Sequence, residues 1–243
     1  MGSSEAARKG RTVIVGDVHG CREELEALLE ALHFISHVDR LVFVGDLVAR
    51  GPDSRGVLGL MERHGARAVR GNHEARLLEG RADAGLVSGE YRRLAEALCE
   101  REWRLLEGMP LWIDLPEHGL RVVHAGVVPG RAIETTPTNA LLRIRAIEPG
   151  GEWTDDKHAP VLWGTLYQGP PHVVFGHNAL TDPQLHPWAT GIDTGCVYGG
   201  RLTALVLAAR EPVPRGHAVL AKLASVPARR VYRAIGEKKE ASS

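Results

Sequence analysis

Short apolar runs, glycine-bearing polar loops and stretches of helical periodicity follow one another from the start of the chain. Thr12-Val-Ile-Val15 is apolar and β-branched, which predicts a buried strand, and it runs straight into Gly16-Asp-Val-His-Gly20. From Arg22 to Leu32 the leucines at 25, 28, 29 and 32 fall on one face of a 3.6-residue helix. The cycle then repeats. Leu41-Val-Phe-Val44 predicts a second strand, ending in Gly45-Asp46. Asp53 is placed to cap a helix whose apolar face carries Val57, Leu58, Leu60 and Met61. Ala66-Arg-Ala-Val69 predicts a third strand, ending in Arg70-Gly-Asn-His-Glu74. Three strand–loop–helix cycles in succession predict an α/β layer architecture with its chemistry at the carboxyl ends of the strands.

Residues 74–108 read as helix with breaks near Gly80 and between Gly85 and Gly89. Strands are expected at 111–115, 120–123, 172–175, 189–193 and 202–207, with a weaker candidate at 231–234. The stretch 130–171, rich in Pro, Gly and Thr, predicts a cap or rim over the site. With 243 residues the chain fits one sizeable core, taken as one domain over 11–235 with flexible termini at 1–10 and 236–243.

Lys plus Arg equals Asp plus Glu at 30 each, so the formal charge is zero. That balance argues against a long nucleic-acid footprint. The longest apolar run, Ala204-Leu-Val-Leu-Ala-Ala209, is far short of the ~20 residues a membrane span needs, and residues 1–10 show no secretory apolar stretch. Cys21, Cys99 and Cys196 are odd in number and widely spaced, giving neither a disulfide framework nor a zinc ligand pair; Cys21 and Cys196 read as packing residues. A reducing, cytoplasmic setting is expected.

The candidate chemistry sits where strands stop. The first strand delivers Asp17 and His19, the second Asp46, and the third Asn72 and His73; Val122-Val123 precedes His124, and Val173-Val-Phe175 precedes Gly176-His177. Any one of these could be a turn, cap or structural histidine. Five polar clusters at successive strand ends instead predict a dinuclear metal centre. Carboxylate, imidazole and amide oxygen form a borderline donor set suited to transition metals such as Mn²⁺ or Co²⁺.

The blocks Gly16-Asp17-Val-His19-Gly20, Gly45-Asp46-Leu-Val-Ala-Arg50-Gly51, Gly71-Asn72-His73-Glu74, His124-Ala-Gly126 and Gly176-His177 resemble, in order, the signature of the phosphoprotein-phosphatase-like metallophosphoesterases. Residues 45–52, 191–205 and 139–145 are most similar to the symmetrical bis(5'-nucleosyl)-tetraphosphatases, the diadenosine tetraphosphate hydrolases. The resemblance implies an α/β calcineurin-like sandwich, mixed β-sheets flanked by helices. It also implies two divalent ions, Mn²⁺ or Co²⁺: Asp17, His19 and Asp46 would hold the first, and Asp46 would bridge to a second completed by Asn72, His124 and His177. His73 would stand outside that shell as general acid. Arg50 would bind phosphate with a second arginine, Arg143 or Arg145, of which Arg143 is slightly favoured.

The activity implied is symmetrical hydrolysis of diadenosine tetraphosphate to two ADP, by in-line attack of a metal-activated water. A phosphoserine/threonine phosphatase or broad phosphomonoesterase is the alternative, and removal of a nucleoside-tetraphosphate cap from an RNA 5' end is another. A binding module that lost catalysis is disfavoured because every expected ligand is present. One departure separates these substrates. Protein phosphatases of the group carry an aspartate before the arginine, paired with the general-acid histidine; here that position is Ala49. Loss of that carboxylate suits a good leaving group, a phosphoanhydride, better than a serine alkoxide. Glu74 or Asp193 could instead take the aspartate's place.

Overall fold

The computed structural model describes residues 10–234, so the expected flexible termini lie outside the described residues apart from Gly10. Its backbone is built on β1 (Thr12–Val15), β2 (Arg40–Phe43) and β3 (Arg67–Ala68), which lie side by side and parallel. Helix α1 (Arg22–Ala31) joins the first pair and α2 (Ser54–Arg63) the second; Asp53 caps α2, its Oδ1 accepting the Gly56 amide at 2.7 Å. Three helices follow: α3 (Asn72–Ala82), α4 (Gly89–Ala97) and α5 (Glu100–Glu107). The break expected before Gly89 is present, whereas α3 runs on through Gly80 to Ala82 because Val87 packs where a side chain at Gly80 would go. A further one occurs at Leu98–Cys99, where the Cys99 amide turns to the Glu102 carboxylate at 2.7 Å and a new helix starts.

The second half supplies β4 (Trp112–Leu115), β5 (Leu120–Val123), α6 (Thr138–Arg143), β6 (Ala146–Ile147), β7 (Trp153–Thr154), α7 (Trp163–Leu166), β8 (His172–Phe175), β9 (Gln184–Leu185), β10 (Ala189–Gly191), β11 (Arg201–Leu207) and β12 (Leu223–Pro227). These complete two five-stranded sheets, β12-β11-β1-β2-β3 and β4-β5-β8-β10-β9, with β6-β7 as a separate pair. Both are mixed. β1–β2–β3 and β5–β8–β10 run parallel, while the remaining pairings are antiparallel.

Period-two alternation decides which layer each side chain enters. Ile14, Val42 and Leu205 join Ile113, Leu120, Val122 and Val174 in the core between the sheets. Their neighbours Val13, Val15, Leu41 and Phe43 face the other way, onto Leu25 and Leu28 of α1 and Leu58 of α2. On the outer face of the second sheet, Val123, Val173 and Phe175 pack against Leu141, Ile144 and Trp163 from residues 130–171. Trp163 ties that segment to the loop after β5: its indole donates to the Ala125 carbonyl at 3.1 Å and its ring fills the space a side chain at Gly126 would need.

Residues 231–234 form no strand. The outer strand of the first sheet is instead β12, paired antiparallel with β11 over Leu223–Pro227. Its sequence, Leu-Ala-Ser-Val-Pro, has little β-branched content, and half-exposed edge pairing carries no apolar alternation for a sequence pattern to report. No helix among the described residues is long and apolar enough to cross a membrane.

Candidate metal centre

The carboxyl ends of β1, β2 and β3 in one sheet and of β5, β8 and β10 in the other meet along one edge. Backbone bonds stitch the loops together: the His19 amide donates to the Asp46 carbonyl at 2.8 Å, and the Gly176 amide to the His124 carbonyl at 2.8 Å. The turns are sharp. His19, Asp46, Ala49, Arg50 and His177 all have φ between 47° and 68°, a region that costs a non-glycine residue energy and persists only where the surroundings impose it. Glu74 is one such constraint. Its carboxylate, fully buried, accepts the amides of Asp46 (2.9 Å), Gly71 (2.8 Å), Leu47 (2.8 Å) and Val48 (3.2 Å), fastening the second loop to the third.

Asp46 lies at the middle. Its Oδ1 accepts the His73 amide at 3.0 Å, while Oδ2 stands 3.5 Å from Nε2 of His19, 3.5 Å from Nε2 of His124 and 3.9 Å from Nε2 of His73. Two donor groups share it. His19, Asp46 and His73 form one, and Asp46, His124 and His177 the other, with the donor atoms of each within 4.8 Å of one another. Asn72 Oδ1 is 3.0 Å from His124 Nε2. Both oxygens of Asp17 accept the His177 amide at 3.1 Å.

These residues fit cations. His124 Nδ1 faces the Val44 carbonyl at 2.9 Å, and His19 Nδ1 faces the Val48 carbonyl at 3.1 Å. A carbonyl only accepts, so each Nδ1 carries the hydrogen and each neutral ring turns a bare Nε2 inward. There it meets further acceptors, Asn72 Oδ1 and Asp46 Oδ2. Lone pairs facing lone pairs repel unless a positive ion lies among them. His177 adds a third such ring: its buried Nε2 is without a hydrogen-bond partner among the described residues.

Electrostatics agree with that protonation. Burial, followed by Arg50, lowers His19 to about 3. Burial lowers His124 to about 4, and burial with His124 and Arg145 nearby holds His177 well below the usual imidazole range. All three rings are neutral near pH 7. The carboxylates move oppositely. Burial raises Asp46 to about 7, against the pull of the His73 amide and Arg50, and burial with Asp193 and Asp46 raises Asp17 well above its ordinary value. Bound cations reverse that penalty.

A cleft of about 240 Å³ opens over the centre, lined by His19, Asp46, Asn72 and His177 and by the cations Arg50, Arg145 and Lys157, with Tyr198 beside them. Arg50 donates to the Tyr198 hydroxyl and, through its backbone amide, to Glu90. Arg145 donates to Asn178 Oδ1. Of the two candidate arginines, Arg145 lines the cleft, whereas Arg143 ends α6, its charge still felt by Asp46 and His177. The cleft wall thus favours Arg145, the second of the two candidates. The two do not share an extended segment, because α6 stops between them.

His73 is close enough to share a donor group with His19 and Asp46, yet its Nε2 stands farther from Asp46 Oδ2 than those of His19 and His124. Its Nδ1 is held at 2.7 Å by the Tyr91 hydroxyl. Neither Glu74 nor Asp193 takes that place. Glu74 is spent on backbone amides, and Asp193 accepts the Gly195 amide at 3.0 Å. Tyr91, Lys157 and Tyr198 had no signal in the sequence as site residues. They come from helices and loops whose approach only the packing decides.

Residues 10–209 match the calcineurin-like phosphoesterase family, and the chain belongs to it. Among curated relatives, the bis(5'-nucleosyl)-tetraphosphatase PrpE [asymmetrical] of Geobacillus thermodenitrificans (strain NG80-2) is 35% identical over 221 residues, covering 79% of this chain and 88% of the relative. The protein of the same name from Halalkalibacterium halodurans is 35% identical over 224 residues, with the same coverage of each. A solved structure described as a "putative diadenosine tetraphosphatase" superposes with a TM-score of 0.77 at 39% identity, covering 90% of this chain and 94% of that one. A protein serine/threonine phosphatase from Saccharomyces cerevisiae shares the fold, with a TM-score of 0.60 at 14% identity over 93% of this chain and 82% of that one. The chain is thus a metallophosphoesterase with dinucleoside tetraphosphatase relatives. Those relatives are named for the asymmetrical cut, whereas residues 45–52 and 191–205 pointed to the symmetrical one.

Proposed function

We propose that this protein hydrolyses bis(5'-nucleosyl) tetraphosphates, and that it cuts them asymmetrically, releasing a nucleoside monophosphate and a nucleoside triphosphate. The observation that carries the substrate class is the ring of cations. Arg50, Arg145 and Lys157 converge on one small cleft beside Asp46, in a chain whose charge is otherwise balanced. A single phosphomonoester has little use for three; a tetraphosphate spreads negative charge along a chain that can engage them in turn. The position of the cut rests on the relatives' names.

Asp17, His19, Asp46, Asn72, His124 and His177 would hold two divalent ions, with Asp46 between them; this donor set suits Mn²⁺ or Co²⁺. Such ions supply a water acidified to a nucleophile and neutralise the phosphoryl oxygens. Arg50 and Arg145 orient the phosphoryl group, their guanidinium forks matching its oxygens. Water adds to phosphorus in line as the anhydride P–O bond breaks. Burial, with His19 and Arg50 nearby, holds His73 well below the usual imidazole range, so its Nε2 stands beside the centre as a neutral hydrogen-bond donor to the departing oxygen. Because Tyr91, a neutral phenol, replaces a carboxylate at His73 Nδ1, the imidazole gains no added basicity, which suits an anhydride whose terminal phosphate has its own second pKa near about 6.

The test is hydrolysis of diadenosine tetraphosphate in ¹⁸O-water by the Mn²⁺- or Co²⁺-loaded enzyme, with products resolved by mass spectrometry. AMP plus ATP is expected. Two ADP would restore the symmetrical cut. A higher kcat/KM on a phosphoserine peptide or p-nitrophenyl phosphate would overturn the substrate class. An RNA bearing a nucleoside-tetraphosphate cap presents the same anhydride chain and belongs in the same panel.

A further inference from the structure

Beneath the first metal loop lies a second cluster with different chemistry. Cys21, Glu24 and Cys196 are 0%, 1% and 1% exposed, and their two sulfurs and a carboxylate oxygen lie within 4.8 Å of one another. Glu24 is the informative member. Its Oε1 accepts the Arg229 amide at 2.9 Å and the Tyr232 hydroxyl at 2.7 Å, whereas Oε2 is buried with no hydrogen-bond partner among the described residues. A buried carboxylate oxygen left unpaired carries an uncompensated desolvation cost, so a native chain keeps one only for a reason. Packing explains two adjacent thiols. It does not explain a half-satisfied carboxylate beside them.

We infer that Cys21, Glu24 and Cys196 form a third metal site, separate from the phosphoesterase centre, that takes a thiophilic divalent cation of the Zn²⁺ type. Two thiolates and a carboxylate are a zinc-like donor set, and the main centre has no sulfur. Binding displaces two protons from the thiols to solvent and changes no oxidation state. Three protein donors leave one tetrahedral position for water. A cleft of about 640 Å³, walled by Arg22, Arg229 and Tyr232, lies next to the cluster, and Arg229 and Tyr232 are the residues that hold the other Glu24 oxygen. The consequence is structural. Cys21 follows His19 by two positions and Cys196 follows Asp193 by three, so one cation here would clamp the loops after β1 and β10 to each other.

Cobalt separates the two kinds of site by colour. The protein, reduced and then saturated with Co²⁺, should show a sulfur-to-cobalt charge-transfer band in the near ultraviolet, which the His/Asp centre cannot give. It should also bind about one equivalent beyond the two of the phosphoesterase centre. The band should vanish in Cys196→Ser, persist in Asp46→Asn, and persist in Cys99→Ser, since Cys99 is exposed and not a member of the cluster. Glu24→Gln keeps both thiols and should weaken the band's apparent Co²⁺ affinity at least about tenfold. Circular dichroism checks that each variant folds; if Cys196→Ser does not, Glu24→Gln decides. No charge-transfer band at saturating Co²⁺, its loss in Cys99→Ser, or an unchanged affinity in Glu24→Gln overturns the inference.

Discussion

Tyr91→Phe isolates the one contact that distinguishes this site from a carboxylate-assisted phosphatase. The Tyr91 hydroxyl lies 2.7 Å from His73 Nδ1, with both side chains buried. Burial holds the phenol protonated well above its ordinary range, so it acts as a neutral partner. Removing the hydroxyl leaves the ring in place, because Arg76 covers its face at 4.8 Å and the core surrounds it. The variant loses one neutral hydrogen bond and strands a buried imidazole nitrogen, at a cost of about 1–3 kcal/mol. The edge-on contact with His19, at 4.6 Å between ring centres, still restrains the ring, so a net loss of about 1–3 kcal/mol in stability is expected.

If about 1–2 kcal/mol of that appears in the transition state, kcat falls roughly 5- to 30-fold. KM should hold, because Tyr91 does not line the cleft. The loss should be larger for an alkyl phosphate, whose leaving alkoxide needs the proton, than for diadenosine tetraphosphate. Steady-state kinetics on both substrates, with metal content measured in parallel, tests this. A kcat within twofold of the parent on both substrates, or equal losses on both with metal retained, would refute the reasoning.

Three further outcomes are expected. Asp46→Asn weakens both donor groups at once and should leave the purified protein with little of either metal, retention falling more than about 100-fold by elemental analysis; full occupancy would refute the shared role of Asp46. Gly71→Ala places a methyl group 2.5 Å from the Asp46 amide nitrogen and against its carboxylate, so metal retention and urea stability should both fall, the latter by more than about 2 kcal/mol; a neutral result would mean that the second and third loops can separate freely. His172 is buried, with Nε2 on Thr190 at 2.9 Å, and burial lowers it from 6.5 to about 4. The unfolded chain therefore takes up a proton that the folded one refuses, and stability drops as pH falls from 6.5 towards 4, by up to about 3 kcal/mol. His172→Gln should flatten that acid limb in urea titrations, and parallel curves for variant and parent would count against it.

Strand positions near the site were legible because their signal is local. Thr12–Val15, Leu120–Val123 and His172–Phe175 are compact buried runs that stop at glycine or histidine, and the structure places each within the same bounds. Order along the chain was enough to bring Asp17, His19, Asp46, Asn72, His124 and His177 to one edge, since residues at successive parallel strand ends face one edge whatever the intervening loops do. The family followed from the same blocks. Contacts between elements were not legible. The edge strand β12 has no apolar alternation, so its pairing with β11 depends on the sheet already present. The choice of Arg145 over Arg143 depends on α6 ending between them, and Lys157 reaches the cleft from a loop with no periodicity. The partner of His73 was the hardest to foresee. Ala49 showed that a carboxylate was missing, but only the packing of α4 against α3 brings Tyr91 across 18 positions to fill its place. Sequence specified the donors, because a residue's own chemistry and its place at a strand end are local properties. Tertiary structure specified their partners, because hydrogen-bond reach is a few ångströms in space and has no fixed measure along the chain.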